Sequence, residues 1–113
     1  TRSTMAAWQK LAGVSGAAAV GLGAYGAHGF KPKEEIYGKI FDTANKYHLL
    51  HSLLLATAPL AKRPNVVGGL CSAGIGLFSG SCYVAAVTEN RQLGKLAPAG
   101  GISLMGAWLA LLL

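Results

Sequence analysis

Charge is what this sequence has least of. Asp, Glu, Lys and Arg make up 12% of its 113 residues, against about 25% in ordinary soluble domains. Only four are acids, and none precedes Glu34. A soluble helical bundle needs a charged outer face on its helices, so this scarcity argues against one. Cysteine is nearly absent as well. Cys71 and Cys82 stand eleven residues apart in one apolar stretch, about 16 Å apart along a helix axis. That is too far for a disulfide, and they read as small buried hydrophobes. No GxSxG, P-loop or HExxH occurs, and no Cys/His pair has zinc-ligand spacing. Gly21 to Gly26, GLGAYG, fits GxGxxG by letter. It has neither a preceding strand nor a later acidic partner, so the dinucleotide reading fails. No catalytic residue, metal ligand or cofactor is expected, and the chain is read as non-enzymatic.

What remains is apolar and segregated. Hydrophobic residues make up 52% of the chain. Lys10 and Lys31 bracket 20 uncharged residues, Lys46 and Lys62 bracket 15, Arg63 and Glu89 bracket 25, and 18 follow Lys95. A membrane-spanning helix needs about 20 residues, and the short stretch qualifies if its flanking lysines snorkel outward. The expectation is an all-α integral membrane four-helix bundle, one domain, with spans near 11–30, 46–61, 66–88 and 96–113. The net charge of +6 comes from bases placed singly or in pairs at span ends. Anchoring to anionic headgroups explains that placement better than nucleic-acid binding. Arg2, Lys10, Lys62 and Arg63 fall on one side and six bases on the other, so loop charge alone leaves orientation open.

Small residues carry the next signal. Gly13, Ala17 and Gly21 lie four apart on span 1, as do Ser15, Ala19 and Gly23. Gly68, Ser72, Gly76 and Gly80 form a ladder on span 3. In lipid such spacing lets helix backbones approach closely. Gly13, Gly16, Gly21, Gly23, Gly26, Gly68, Gly76 and Gly80 are therefore expected to pack helices. Span 1 closes on GAYGAHGF, and Pro32 suits the first turn of a new helix. From there Ile36, Tyr37, Ile40, Phe41 and Ala44 recur at helical intervals among charged residues. This predicts an amphipathic interfacial helix that bends into span 2. Pro59 should end that span, Tyr83 should anchor the far end of span 3, and Pro98 should sit in the first turn of span 4.

Taken together, GAYGAHGF, FDTANKYHLLHSL and LAPAGG resemble the transmembrane protein 256 family over nearly the whole chain. The resemblance implies a four-helix membrane protein, in animals a mitochondrial one, with no established catalytic residues. The acid-free first 33 residues also fit a mitochondrial import signal, and equally the flank of any first span.

The three histidines are the remaining candidates. His28 ends span 1, and His48 and His51 share a face at the start of span 2. They form a candidate polar cluster for a haem, a quinone or a proton path. Structural hydrogen bonding is the preferred reading, because histidines near an interface can cap exposed carbonyls or bond between helices at little cost. The absence of a carboxylate within the spans counts against a proton-coupled transporter. The leading expectation is an accessory subunit of a mitochondrial inner-membrane, respiratory-chain complex, with lipid and other membrane subunits as partners. A small homo-oligomeric transporter or channel, or a His-based haem or quinone protein, is the alternative.

Overall fold

The helix that carries the first and third helices is α2, Glu35–Thr57, and the fourth is laid on the third. In the computed structural model, which describes residues 2–113, α2 is preceded by α1, Arg2–His28. After it come a 3-10 turn, Ala58–Leu60, and α3, Pro64–Val87. A second 3-10 turn, Arg91–Gly94, leads to α4, Ala97–Ala110. All-α is thus the fold class, and no strand occurs among the described residues. The bundle measures 47 × 24 × 17 Å.

Proline sets the breaks. Pro59 lies in the 3-10 turn that ends α2. Pro64 and Pro98 sit in the first turns of α3 and α4, where the missing N–H costs no hydrogen bond. Pro32 falls outside α2, which starts three residues later.

The expected amphipathic segment and span 2 form one continuous helix of 23 residues, about 34 Å long. Tyr37, Phe41 and Ala44 are buried, and Phe41 packs against Tyr25, Phe30 and Tyr83 with ring centroids 5.0–5.9 Å apart. That aromatic knot joins α1, the linker, α2 and α3, so burying this face outweighs the pull of water on the charged one. Only α3 is long and apolar enough to cross a membrane by length and composition, with mean hydropathy 1.6. Span 1 is diluted by glycine and alanine, α2 carries charge in its first half, and α4 has 14 residues.

Inside α3 the segment Ile75–Gly80 winds as a π-helix. Such widened turns cost regular hydrogen-bond geometry, and here the turn meets a glycine. A Cβ on Gly100 of α4 would run into the backbone of Leu77 and Phe78, so α4 seats directly on the widened turn. Gly74 is similarly closed by Leu104.

The linker at the opposite end is held by Glu89. Its φ of 51° is the one positive value at a non-glycine residue among the described residues, a conformation that costs about 1–2 kcal/mol. The strained turn aims its carboxylate at the start of α2. Oε1 accepts from the backbone N–H of Lys33 at 2.9 Å and of Glu34 at 3.3 Å, an anion at a helix N-terminus.

The glycines divide accordingly. Gly100→Ala should destabilise the purified protein by about 1–3 kcal/mol through overpacking. Gly80→Ala, where an added Cβ meets nothing within 4 Å, should be neutral or slightly stabilising. Thermal unfolding in detergent distinguishes them, and equal losses would refute the assigned packing.

Candidate functional site

The antiparallel pairing of α1 and α2 places polar side chains inside the bundle. Gly26 faces the Phe41 ring and Gly23 faces Asn45. About two turns further down α1 on the Gly23 side, Ser15 meets both His48 and Ser52. The face Tyr37, Phe41, Asn45 and His48 does meet α1. His48, His51 and Ser52 are all buried, and among the described residues no buried side-chain N or O lacks a hydrogen-bond partner.

The protons in this network can be placed by elimination. Ser52 Oγ donates to the His48 carbonyl at 2.7 Å, which uses its one hydroxyl proton. Ser15 Oγ, 2.6 Å away, must then be the donor to Ser52. Having donated, it can only accept from His48 Nε2 at 3.0 Å. Asn45 Nδ2 donates to the Ala19 carbonyl at 2.8 Å and to Tyr83 Oη at 3.1 Å. The Tyr83 hydroxyl therefore donates to His48 Nδ1, 2.9 Å away. The result is a one-way chain from Asn45 through Tyr83, His48 and Ser15 to Ser52, with His48 neutral and protonated on Nε2.

His51 is fixed in the other tautomer. Its Nδ1 is 2.7 Å from the Tyr47 carbonyl, which can only accept. Its Nε2 is therefore the acceptor for Trp108 Nε1–H at 3.0 Å. The ring is also stacked on Tyr47 at 5.9 Å. Beside it a groove of about 270 Å³ opens between α2 and α4, lined by Lys46, Leu50, Met105 and Trp108 among others. Cys71, buried and unpaired, donates to the His51 carbonyl at 3.1 Å.

A metal or haem iron ligated by either buried imidazole would have to take a lone pair already occupied by Tyr83 O–H or Trp108 N–H. Among the described residues, no three His, Cys, Asp or Glu side chains are grouped to hold an ion.

His28 does not join the pair. It is exposed at the end of α1 with Nδ1 3.2 Å from the Ala24 carbonyl. Thirteen residues of helix, about 20 Å, separate it from Ser15, where His48 bonds. The expected three-histidine cluster is therefore two separate sites and an outlier.

The glycine expectations also split. Gly23, Gly26 and Gly68 accept neighbours at close range, Gly68 beneath the Trp8 ring, and Gly16 only just touches Ser52. At Gly13, Gly21, Gly76 and Gly80 a Cβ would meet nothing within 4 Å, so within the chain they pack against no helix. The sequence reading missed Ser15, Tyr83 and Trp108 as partners. Tyr83, expected as a surface anchor, is turned inward to Asn45 and His48.

Outside, the pattern inverts. Val14 is 70% exposed, Ile102 66%, and Leu53 and Val20 each 65%. A core that holds the histidines and serines beneath an outer surface of aliphatics defines a small helical membrane protein.

Known proteins agree. A family model described as "Protein of unknown function (DUF423)" matches residues 22–101. UPF0382 membrane protein YwdK of Bacillus subtilis is 37% identical over 107 residues, 88% of this chain and 87% of its own. A UPF0382 membrane protein of Staphylococcus epidermidis is 39% identical over 84% of this chain and 83% of its own. UPF0382 membrane protein C1782.12c of Schizosaccharomyces pombe is 32% identical over 96% and 99%. The chain belongs to this family, which is also the transmembrane protein 256 family. Its bacterial members mean that a mitochondrial setting is not a property of the family as a whole. No solved structure matches the chain.

Replacing Trp108 with Phe keeps the ring but leaves His51 Nε2 without its donor. An unmet buried acceptor costs about 1–3 kcal/mol, and Tyr83→Phe should cost a similar amount. His28→Ala should change stability by less than about 0.5 kcal/mol. Denaturant unfolding of the detergent-solubilised protein measures all three. A His28 variant as damaging as the other two would contradict the separation of the sites.

Proposed function

We propose that this chain is a non-enzymatic integral membrane subunit that crosses the bilayer four times and packs into a larger assembly. The observation that carries the reading is the contrast between a polar core with every proton committed and small-residue faces with no neighbour. An enzyme or ligand site needs a group left available to react or bind. Here His48 and His51 hold helices together. The outward faces with Gly13 and Gly21 on α1 and Gly76 and Gly80 on α3 are what close helix–helix contact in lipid uses. The 47 Å length fits a bilayer of about 40–45 Å including headgroups. α1 and α2 mask their polar groups against each other, so a span need not be wholly apolar to sit in lipid.

The narrower placement is a respiratory-chain complex, in eukaryotes that of the mitochondrial inner membrane. Its support is indirect: the acid-free first 33 residues, the short turns between the helices, and relatives in both bacteria and yeast. Such complexes occur in both kinds of membrane.

A second reading, a small homo-oligomeric transporter, is favoured by the hydrogen-bond chain from Asn45 to Ser52. Proton or solute flux in liposomes that His48→Ala abolishes would favour it over the first.

Membranes from cells expressing the protein should retain it through alkaline carbonate extraction. After mild-detergent solubilisation it should migrate on a native gel well above its 11.6 kDa mass with other membrane proteins identifiable in the band. Migration solely as a free monomer would defeat the assembly reading.

A further inference from the structure

The two ends of the bundle carry different charge. All four acids, Glu34, Glu35, Asp42 and Glu89, belong to the α1–α2 linker, the first half of α2 and the α3–α4 loop, which meet where Glu89 caps α2. The opposite end is assembled around Trp8. Its indole lies over Gly68, packs on the cluster of Ala58, Val67 and Ala110, and donates from Nε1 to Asn65 Oδ1 at 3.0 Å. This contact brings the start of α1 to the α2–α3 turn, and so gathers Arg2, Lys10, Lys62 and Arg63. All four are exposed, and no acid lies among them.

The same end carries the two most exposed large apolar side chains of the bundle, Leu60 at 88% and Leu112 at 82%. A groove of about 400 Å³ runs from Gln9 along the α1–α2 seam, floored by Ala12, Gly13 and Gly16 and walled by Leu53 and Ala56. Uncompensated cations beside bare leucines and an apolar furrow match one partner chemistry. A phosphodiester headgroup pairs with the bases, and an acyl chain covers the leucines and enters the furrow. A nucleic acid or an acidic soluble protein would satisfy the bases and leave Leu60, Leu112 and the furrow in water.

We propose that the Trp8 end is a binding surface for anionic phospholipid, with Arg2, Lys10, Lys62 and Arg63 holding the headgroup and the α1–α2 furrow taking a chain. This rests on the membrane reading above. Each base near an anionic surface strengthens attachment about fivefold, so the four together select anionic over zwitterionic lipid. The Glu89 end, where acids offset most of the bases, does not.

The test uses the full chain, first shown to resist carbonate extraction, then purified in non-ionic detergent. It is titrated with phosphatidylglycerol or phosphatidylcholine of matched acyl chains, and bound lipid is counted by native mass spectrometry. Phosphatidylglycerol should be retained more tightly. The preference should fall about fivefold for each charge removed in Lys62→Gln/Arg63→Gln, two exposed turn positions whose loss leaves the helices intact by circular dichroism. Lys39→Gln/Lys95→Gln at the other end should keep it.

Equal retention of both lipids overturns the proposal, as does an equal loss in the control pair. Displacement of the lipid by inorganic phosphate at comparable concentration overturns the chain-binding half of it. Binding of a short oligonucleotide that outcompetes phosphatidylglycerol overturns it in favour of nucleic acid. Release of the chain by carbonate would instead defeat the membrane reading itself, so the two failures are distinguishable.

Discussion

Ser52 has one hydroxyl proton and the His48 carbonyl takes it; the order of every other proton in the α1–α2 seam follows from that. Ser15 must donate to Ser52, His48 must donate to Ser15, and Tyr83 must donate to His48. Each bond of this kind is worth only about 0.5–1.5 kcal/mol net. The constraint is strong for another reason: away from water, a donor or acceptor without a partner costs more than the bond contributes. Four side chains from two helices and one from a third can all be satisfied in a single register. A slip of α1 along α2 by one residue would orphan several at once. The seam therefore specifies register where aliphatic packing alone would tolerate many.

Close approach makes that register reachable. Asn45 reaches the Ala19 carbonyl because Gly23 presents no side chain beside it, and Phe41 fills the space that Gly26 leaves. On the other side of α2, Ser79 in the π segment donates to the Ala44 carbonyl at 2.9 Å. The carbonyls of Ala44, His48 and His51 thus each receive a side-chain donor. The widened turn in α3 is where Gly100 also seats α4. One local irregularity therefore serves two interfaces, which accounts for a distortion that sequence periodicity would not suggest.

Helix ends were the most legible part of the sequence, because proline and its missing N–H act within a single turn. Pro59 and Pro98 each mark the boundary they predict. The partners of the first half of α2 were not legible. Lys39, Asp42 and Lys46 repeat at the same interval on a helix lying in an interface and on one standing in a bundle with that face outward. The burial of Phe41 depends on rings from α1, the linker and α3, which spacing along one helix does not show. Glycine identity was legible and glycine role was not: small residues occupy several faces of α1 and α3, and spacing does not say which face has a neighbour. Tyr83 looks like an interface aromatic in sequence, and spacing gives Trp108 no partner. Their polar atoms turn inward because His48 and His51 each have a nitrogen that needs a donor.

The same accounting bears on why one helix alone satisfies the composition of a membrane span. Alone in hydrocarbon, α2 would carry Asn45, His48 and the Nε2 of His51 unpaired, and each unsatisfied polar group there costs several kcal/mol. Paired with α1, the Asn45 amide and His48 gain the Ala19 carbonyl and Ser15, and only the Tyr83 and Trp108 bonds remain to be made. α3 and α4 supply those. Apolarity is therefore a property of the assembled bundle rather than of each helix. The histidines at the centre are neutral and doubly bonded, and they contribute to that apolarity by leaving no polar edge for water to follow. A residue type usually read as chemistry is here what allows a weakly hydrophobic helix to stand in the middle of the bundle.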